Sequence, residues 1–181
     1  EMAGNVLRSE GQIEIRVFGG HVQVSKTEIE NPFSSLPAIK LDARFQEIRL
    51  EQASETFAFG RISGILEGTI SDLIIADGQP SQMQADVHTV TRSDSSQWIS
   101  VDALNKITVL SSGEDGSLVY GGIAGFFDEF RYSKMGFKAT LRNDKLTLRG
   151  VESNDGKEFL VVGSFLPPTV NVISHTREIA F

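Results

Sequence analysis

Gln12-Ile13-Glu14-Ile15-Arg16-Val17-Phe18-Gly19-Gly20-His21-Val22-Gln23-Val24-Ser25 alternates apolar and polar residues on both sides of a glycine pair. Successive side chains of a strand point to opposite faces, so Ile13, Ile15, Val17, Val22 and Val24 fall on one side of a hairpin turning at Gly19-Gly20. The same period-two pattern recurs after a loop bracketed by Pro32 and Pro37, in Ile39, Leu41, Ala43 and Phe45. Ile48 and Leu50 then lead into the polar stretch Glu51–Thr56, which has room for one helical turn.

From Phe57 to Ala76 the chain reads as a long strand carrying Gly60, Gly64 and Gly68 at intervals of four, with Ile62, Leu66 and Ile70 sharing one face. Asp77-Gly78 is a hairpin signal, since both residues tolerate positive φ. Beyond it Met83, Ala85, Val87 and Thr89 alternate with Gln82, Gln84, Asp86 and His88.

The pattern changes near Thr91. Thr91–Ser96 is a polar loop, Ser100 is placed to cap a helix from Val101 to about Leu110, and Val101, Leu104 and Ile107 recur at helical spacing. Ile123, Phe126, Phe127 and Phe130 suggest a second short helix. Strand patterning returns at Phe137, Ala139 and Leu141, at Leu146 and Leu148 after Asn143-Asp144, at Phe159–Val162 after Asn154-Asp155-Gly156, and at Val170 and Val172 after Pro167-Pro168. The expected fold is α+β and β-dominated: a curved antiparallel meander with an apolar concave face and two short helices between its early and late hairpins. Its parts are an antiparallel sheet over 1–90, a loop with two short helices over 91–135, and returning hairpins over 136–181.

Composition narrows the function. A net charge of −7 opposes nucleic-acid binding, where Lys and Arg must neutralise phosphates, and there is no polybasic patch for an anionic membrane face. The absence of cysteine removes disulfides, thiolate metal sites and cysteine nucleophiles. No run of about 18 apolar residues crosses a membrane, and no basic region followed by an apolar run opens the chain. The start at Glu1-Met2-Ala3 and the end at Phe181, inside a strand pattern, make the chain read as an excised piece with any membrane anchor outside it.

Candidate chemistry is sparse. His21, His88 and His175 lack metal-ligand spacing and read as surface residues. Gly60-Arg61-Ile62-Ser63-Gly64 places its serine one position late for a nucleophile elbow. Asp128-Glu129 reads as a solvated pair, and Asn154-Asp155-Gly156 as a turn without the repeating ligands of a calcium loop. No catalytic residue, metal or cofactor is expected. The glycine ladder Gly60, Gly64 and Gly68 has two readings: a bulge, bend or close strand crossing, or the floor of a trough in which an acyl chain lies against the backbone. On the second reading the groove residues are Ile62, Gly64, Leu66, Gly68, Ile70, Met83, Ala85 and Val87.

Phe59–Leu73 with Asp77-Gly78-Gln79-Pro80, Gln97–Asn105, Phe126–Tyr132 and Leu141–Gly150 together resemble the C-terminal region of the YdbH group of AsmA-like proteins, bridge-like intermembrane phospholipid transport proteins of Gram-negative bacteria. The resemblance covers most of the chain. It implies a periplasmic segment of a larger inner-membrane-anchored protein, a greasy groove for phospholipid acyl chains, and a small outer-membrane lipoprotein or periplasmic protein as partner. It supplies no catalytic residue. The alternative is an interaction module that docks such a partner by β-strand addition.

Overall fold

The computed structural model describes residues 2–3, 5–112, 127–165, 170–174 and 178–180. Its first half holds β1 (Met2–Ala3), β2 (Val6–Ser9), β3 (Ile13–Val17), β4 (Gly20–Glu30), β5 (Ala38–Arg49), α1 (Leu50–Thr56), β6 (Ile65–Ala76) and β7 (Gln79–Val90). Then follow β8 (Trp98–Ser100), α2 (Val101–Ser112), β9 (Glu129–Arg142), β10 (Lys145–Gly150), β11 (Glu152–Asn154), β12 (Lys157–Gly163), β13 (Val172–Ser174) and β14 (Glu178–Ala180). The sheet is open and antiparallel, with the main order β1-β2-β4-β5-β6-β7-β9-β10-β14. β3 joins at β4, while β8 and β12 join at β9, and β11 and β13 flank β12.

The expected turns form. Asp77 and Gly78 both take positive φ, as do Asn143 and Asp144. The first hairpin turns on Phe18 and Gly19, with Gly20 already paired to Val17 in β4, one position earlier than the glycine pair suggests. Ser100 caps α2 as expected, its hydroxyl accepting hydrogen bonds from the Ala103 and Arg61 amides.

Two expectations are corrected. Phe57–Gly64 is not strand. Left-handed Ala58, Gly60 and Gly64 turn the chain after α1, and this loop instead pairs with β8 through Ile62 opposite Ile99 and the Ser63 amide bonded to the Trp98 carbonyl. The second helix fails at its described end: Phe127 precedes β9 and Phe130 lies within it, paired with Ile99, because Phe130 and Tyr132 follow the strand period. Ile123 and Phe126 lie outside the described residues. Among the described residues the helices are α1 and α2, and α1 sits inside the early sheet, between β5 and β6.

Burial is uneven. Leu104 and Ala103 of α2, Ile99, Phe130, Tyr132, Val161 and Val172 pack with Leu50, Ile62, Met135 and Leu160 into one core between α2 and the strands around β9. By contrast no residue of β4 is buried, and in β5 only Ile48 is. The core thus gathers at the β9 half of the sheet, while the side chains of β4 and most of β5 are only partly buried.

Bulges keep the apolar positions aligned over this length. Register shifts fall at Lys26 in β4, Glu47 in β5 and Asp72 in β6, each left-handed, with φ of 50°, 55° and 52°. A bulge inserts one residue and resets the alternation. That is why apolar residues change parity between Val24 and Ile29, between Phe45 and Ile48, and between Ile70 and Leu73. On the polar side the bulges at Lys26 and Asp72 are tied together by Asp42. Its carboxylate accepts from Lys26 Nζ at 2.7 Å and from the Asp72 amide at 2.9 Å, and Asp72 accepts from Gln84 Nε2 at 3.1 Å. The Lys26 hydrogen bond holds the Asp42 carboxyl below the ordinary aspartate range, against partial burial and with help from the Asp72 amide.

A depressed carboxyl stabilises the fold above its unfolded pKa of about 3.9, and that contribution fades as pH falls through the lower folded value. Asp42→Asn is accordingly expected to lower the urea midpoint at pH 7 and to flatten its decline below about pH 4. Parallel midpoint-versus-pH curves for the two proteins would show that Asp42 does not tie the bulges.

Candidate apolar surface and cavity

Residues directly opposite in an antiparallel ladder lie on the same face. From β3 to β9 the register aligns Ile15, Val22, Phe45, Gly68, Val87 and Phe137 in one row. A second row runs Ile13, Val24, Ala43, Ile70, Ala85, Ala139 and on to Leu148 of β10. The intervening row on the other side is Glu14, Gln23, Arg44, Thr69, Asp86, Lys138 and Arg149. In it Lys138 Nζ pairs with Asp86 at 3.1 Å. The alternation visible in single strands is thus in phase across the sheet.

Exposure varies along the apolar rows. Ile13 and Ile15 are each 50% exposed and Phe137 is 37% exposed, whereas Ala85, Val87 and Ala139 are buried. At the buried end lies a cavity of about 390 Å³, lined by Leu50, Phe59, Ile62, Leu66, Val87, Ile107, Met135, Gly136, Phe137, Leu148 and Leu160. Every lining residue is apolar or glycine. Val87 and Phe137 belong to the first row and Leu148 to the second, so the rows run into the cavity. Met135 shares the parity of Phe137 and so faces the same side, and the extra residue of β9 at Ser133, where its register with β12 shifts, brings the even-numbered Phe130 and Tyr132 inward as well. Phe130, Tyr132, Met135, Ala139 and Leu141 are consequently all buried despite their change of parity.

Of the groove residues expected from sequence, Ile62, Leu66 and Val87 line the cavity. Gly68, Ile70 and Ala85 take places in the rows, and Met83 pairs beside them with Leu141. Gly64 is elsewhere. Its φ is 134°, and a Cβ there would come within 2.5 Å of the Tyr132 hydroxyl, which donates to the Ser63 carbonyl. At Gly68 the space vacated by a side chain is filled by the backbone of Asp86 and Val87 in β7. Both glycines permit close approach by protein, the first of the two sequence readings. Leu50, Phe59, Ile107, Met135, Gly136, Phe137, Leu148 and Leu160 line the cavity without being expected there from sequence, Ile107 being readable only as part of the apolar stripe of α2.

The polar candidates are dispersed. Glu129 pairs with Arg61 at 3.0 Å, and His88 Nδ1 lies 3.3 Å from Asp86. His21 Nε2 meets Gln46 at 3.0 Å. Asp155 and Gly156 form the β11–β12 turn. Among the described residues no group of acidic or histidine side chains has metal-binding geometry, and no helix is long and apolar enough to cross a membrane. Compared with protein-family models, curated proteins and solved structures, the chain matches none.

Proposed function

We propose that this domain is a non-catalytic carrier surface on which phospholipid acyl chains lie along the apolar rows and enter the cavity. The observation behind this reading is that exposed Ile13, Ile15 and Phe137 share rows with the cavity-lining Val87 and Leu148. A soluble domain ordinarily covers such rows with a second layer. At about 4.8 Å between neighbouring strands, seven strands span roughly 29 Å, about twice the hydrocarbon depth of one bilayer leaflet. Each methylene kept from water is worth about 0.8 kcal/mol, so a chain of about 15 carbons needs continuous shielding worth on the order of 12 kcal/mol. An apolar sheet side supplies that shielding and leaves headgroups in water.

In this reading the apolar side is concave. The bulges at Lys26, Glu47 and Asp72 and the close approach at Gly68 supply the twist that curves a sheet. The domain is then the distal part of a longer, inner-membrane-anchored periplasmic protein that passes phospholipid toward the outer membrane, as the resemblance to AsmA-like proteins implies. A second reading, docking of a periplasmic or outer-membrane partner by strand addition, draws support from the place of β14 at the end of the main strand path.

Gentle purification followed by lipid extraction and mass spectrometry tests the carrier reading. Phospholipid is expected to accompany the protein and to fall several-fold with Leu66→Asp in the cavity. Phe137→Asp serves if that variant does not fold. Lipid-free protein, or equal lipid in a folded variant, would overturn the carrier reading and favour the docking one.

A further inference from the structure

The five-residue strand β3, Ile13-Glu14-Ile15-Arg16-Val17, pairs only with β4 among the described residues. Its side chains from Ile13 to Arg16 are exposed, and neither Glu14 nor Arg16 has an ion-pair partner among the described residues. Natural edge strands are usually blunted by charges that repel a newcomer. This edge instead carries one charge of each sign, two residues apart and flanking Ile15.

That spacing is self-complementary. In an antiparallel pair of β3 strands centred on Ile15, Ile15 meets Ile15 of the second copy, Glu14 meets Arg16, Arg16 meets Glu14, and Ile13 meets Val17. Both charge pairs are attractive, and directly opposite residues share a face. The backbone has matching phase. The two-residue turn at Phe18-Gly19 closes on the hydrogen-bonded pair Val17–Gly20, and bonding alternates from there. Ile15 therefore bonds inward to β4, while the peptide groups of Glu14 and Arg16 face outward. Those outward groups are the ones that the Glu14–Arg16 register pairs. The two-fold axis then passes through a non-hydrogen-bonded Ile15–Ile15 pair, where side chains approach most closely.

We propose that β3 is the interface of a two-fold symmetric dimer of this chain, in which the two sheets join edge to edge through the Glu14–Arg16 pairs. The joined sheet brings the apolar rows of both copies together at Ile15 and keeps the charged rows together on the other side. Such an isologous contact closes on itself and leaves no repeating edge at this strand. The proposal does not depend on what the apolar rows bind.

Sedimentation velocity of the 181-residue chain over a range of concentrations tests it. The parent is expected to dimerise. Glu14→Arg alone sets Arg against Arg, and Arg16→Glu alone sets Glu against Glu, so each is expected to self-associate roughly tenfold more weakly or worse. The two single variants mixed together, and the double variant E14R/R16E, restore both attractive pairs and are expected to recover the dimer. All substituted positions are exposed, and circular dichroism confirms that each variant is folded. A parent that stays monomeric overturns the proposal. So does a single variant that dimerises as well as the parent, or a mixture and double variant that fail to recover it.

Discussion

Leu104→Ala is expected to destabilise the protein by about 2–5 kcal/mol, while Val24→Ala costs less than about 1 kcal/mol. Leu104 is fully enclosed between α2 and the strands around β9, so its truncation forfeits transfer energy and leaves a cavity that the packed core cannot collapse. Val24 is as apolar a choice by sequence and sits in a regular strand. It lies in β4, however, where no side chain is buried and the shortened residue simply exposes a little more of its neighbours. For a chain of this size the Leu104 loss corresponds to a fall in melting temperature on the order of 10 °C. Equal losses at the two positions, read from urea or thermal unfolding, would mean that the β3–β5 half of the sheet is covered in solution. The carrier surface would then not exist in the free protein.

Gly136→Ala is expected to destabilise by about 1–3 kcal/mol, the reverse of the gain of about 0.4–1 kcal/mol that alanine gives where the backbone accepts it. Gly136 is buried, and its φ is not left-handed, so backbone conformation does not demand glycine. Space does. A Cβ there would meet the Val87 carbonyl and come within 2.7 Å of the His88 Cα, both backbone atoms of the paired strand β7. Gly68 approaches Asp86 and Val87 from the other side, so β7 is flanked by glycine on both neighbouring strands, opposite the successive residues Val87 and His88. Neither neighbour can give way by rotating a side chain. Gly11→Ala is the control, because the nearest atom to its Cβ would be the Ser9 hydroxyl at 3.9 Å, and it is expected to be neutral or mildly stabilising. A neutral Gly136→Ala would show that β7 and β9 can separate there at no cost.

Where the sequence misleads, the cause is parity. The four-residue glycine spacing suggests one strand from Phe57, yet Gly60 and Gly64 serve a turn and Gly68 serves a strand contact. The helical reading of Phe127 and Phe130 fails because Phe130 and Tyr132 alternate within β9, and a three-residue spacing of aromatic side chains does not by itself separate a helix turn from the entry to a strand. The bulges at Lys26, Glu47 and Asp72 leave one trace in the sequence, a switch of apolar positions from even to odd numbers or back. That trace is visible only once the strand partners are known.

The sequence by itself determined the β-dominated antiparallel class, the main hairpin turns, α2 with its Ser100 cap, and which residues of each strand are apolar. These follow from local physics: side-chain alternation, the φ each turn residue tolerates, and helix-terminal hydrogen bonds. Only the tertiary structure decided that the alternating rows stay in phase from β3 to β10, since register is set between strands rather than within one. It also decided that Ile62, Leu66, Met135 and Leu160 converge on one cavity while Ile13 and Ile15 stay exposed. Apolar residues are equally suited to a core or an open face, and what distinguishes them is whether another part of the chain reaches over to cover them.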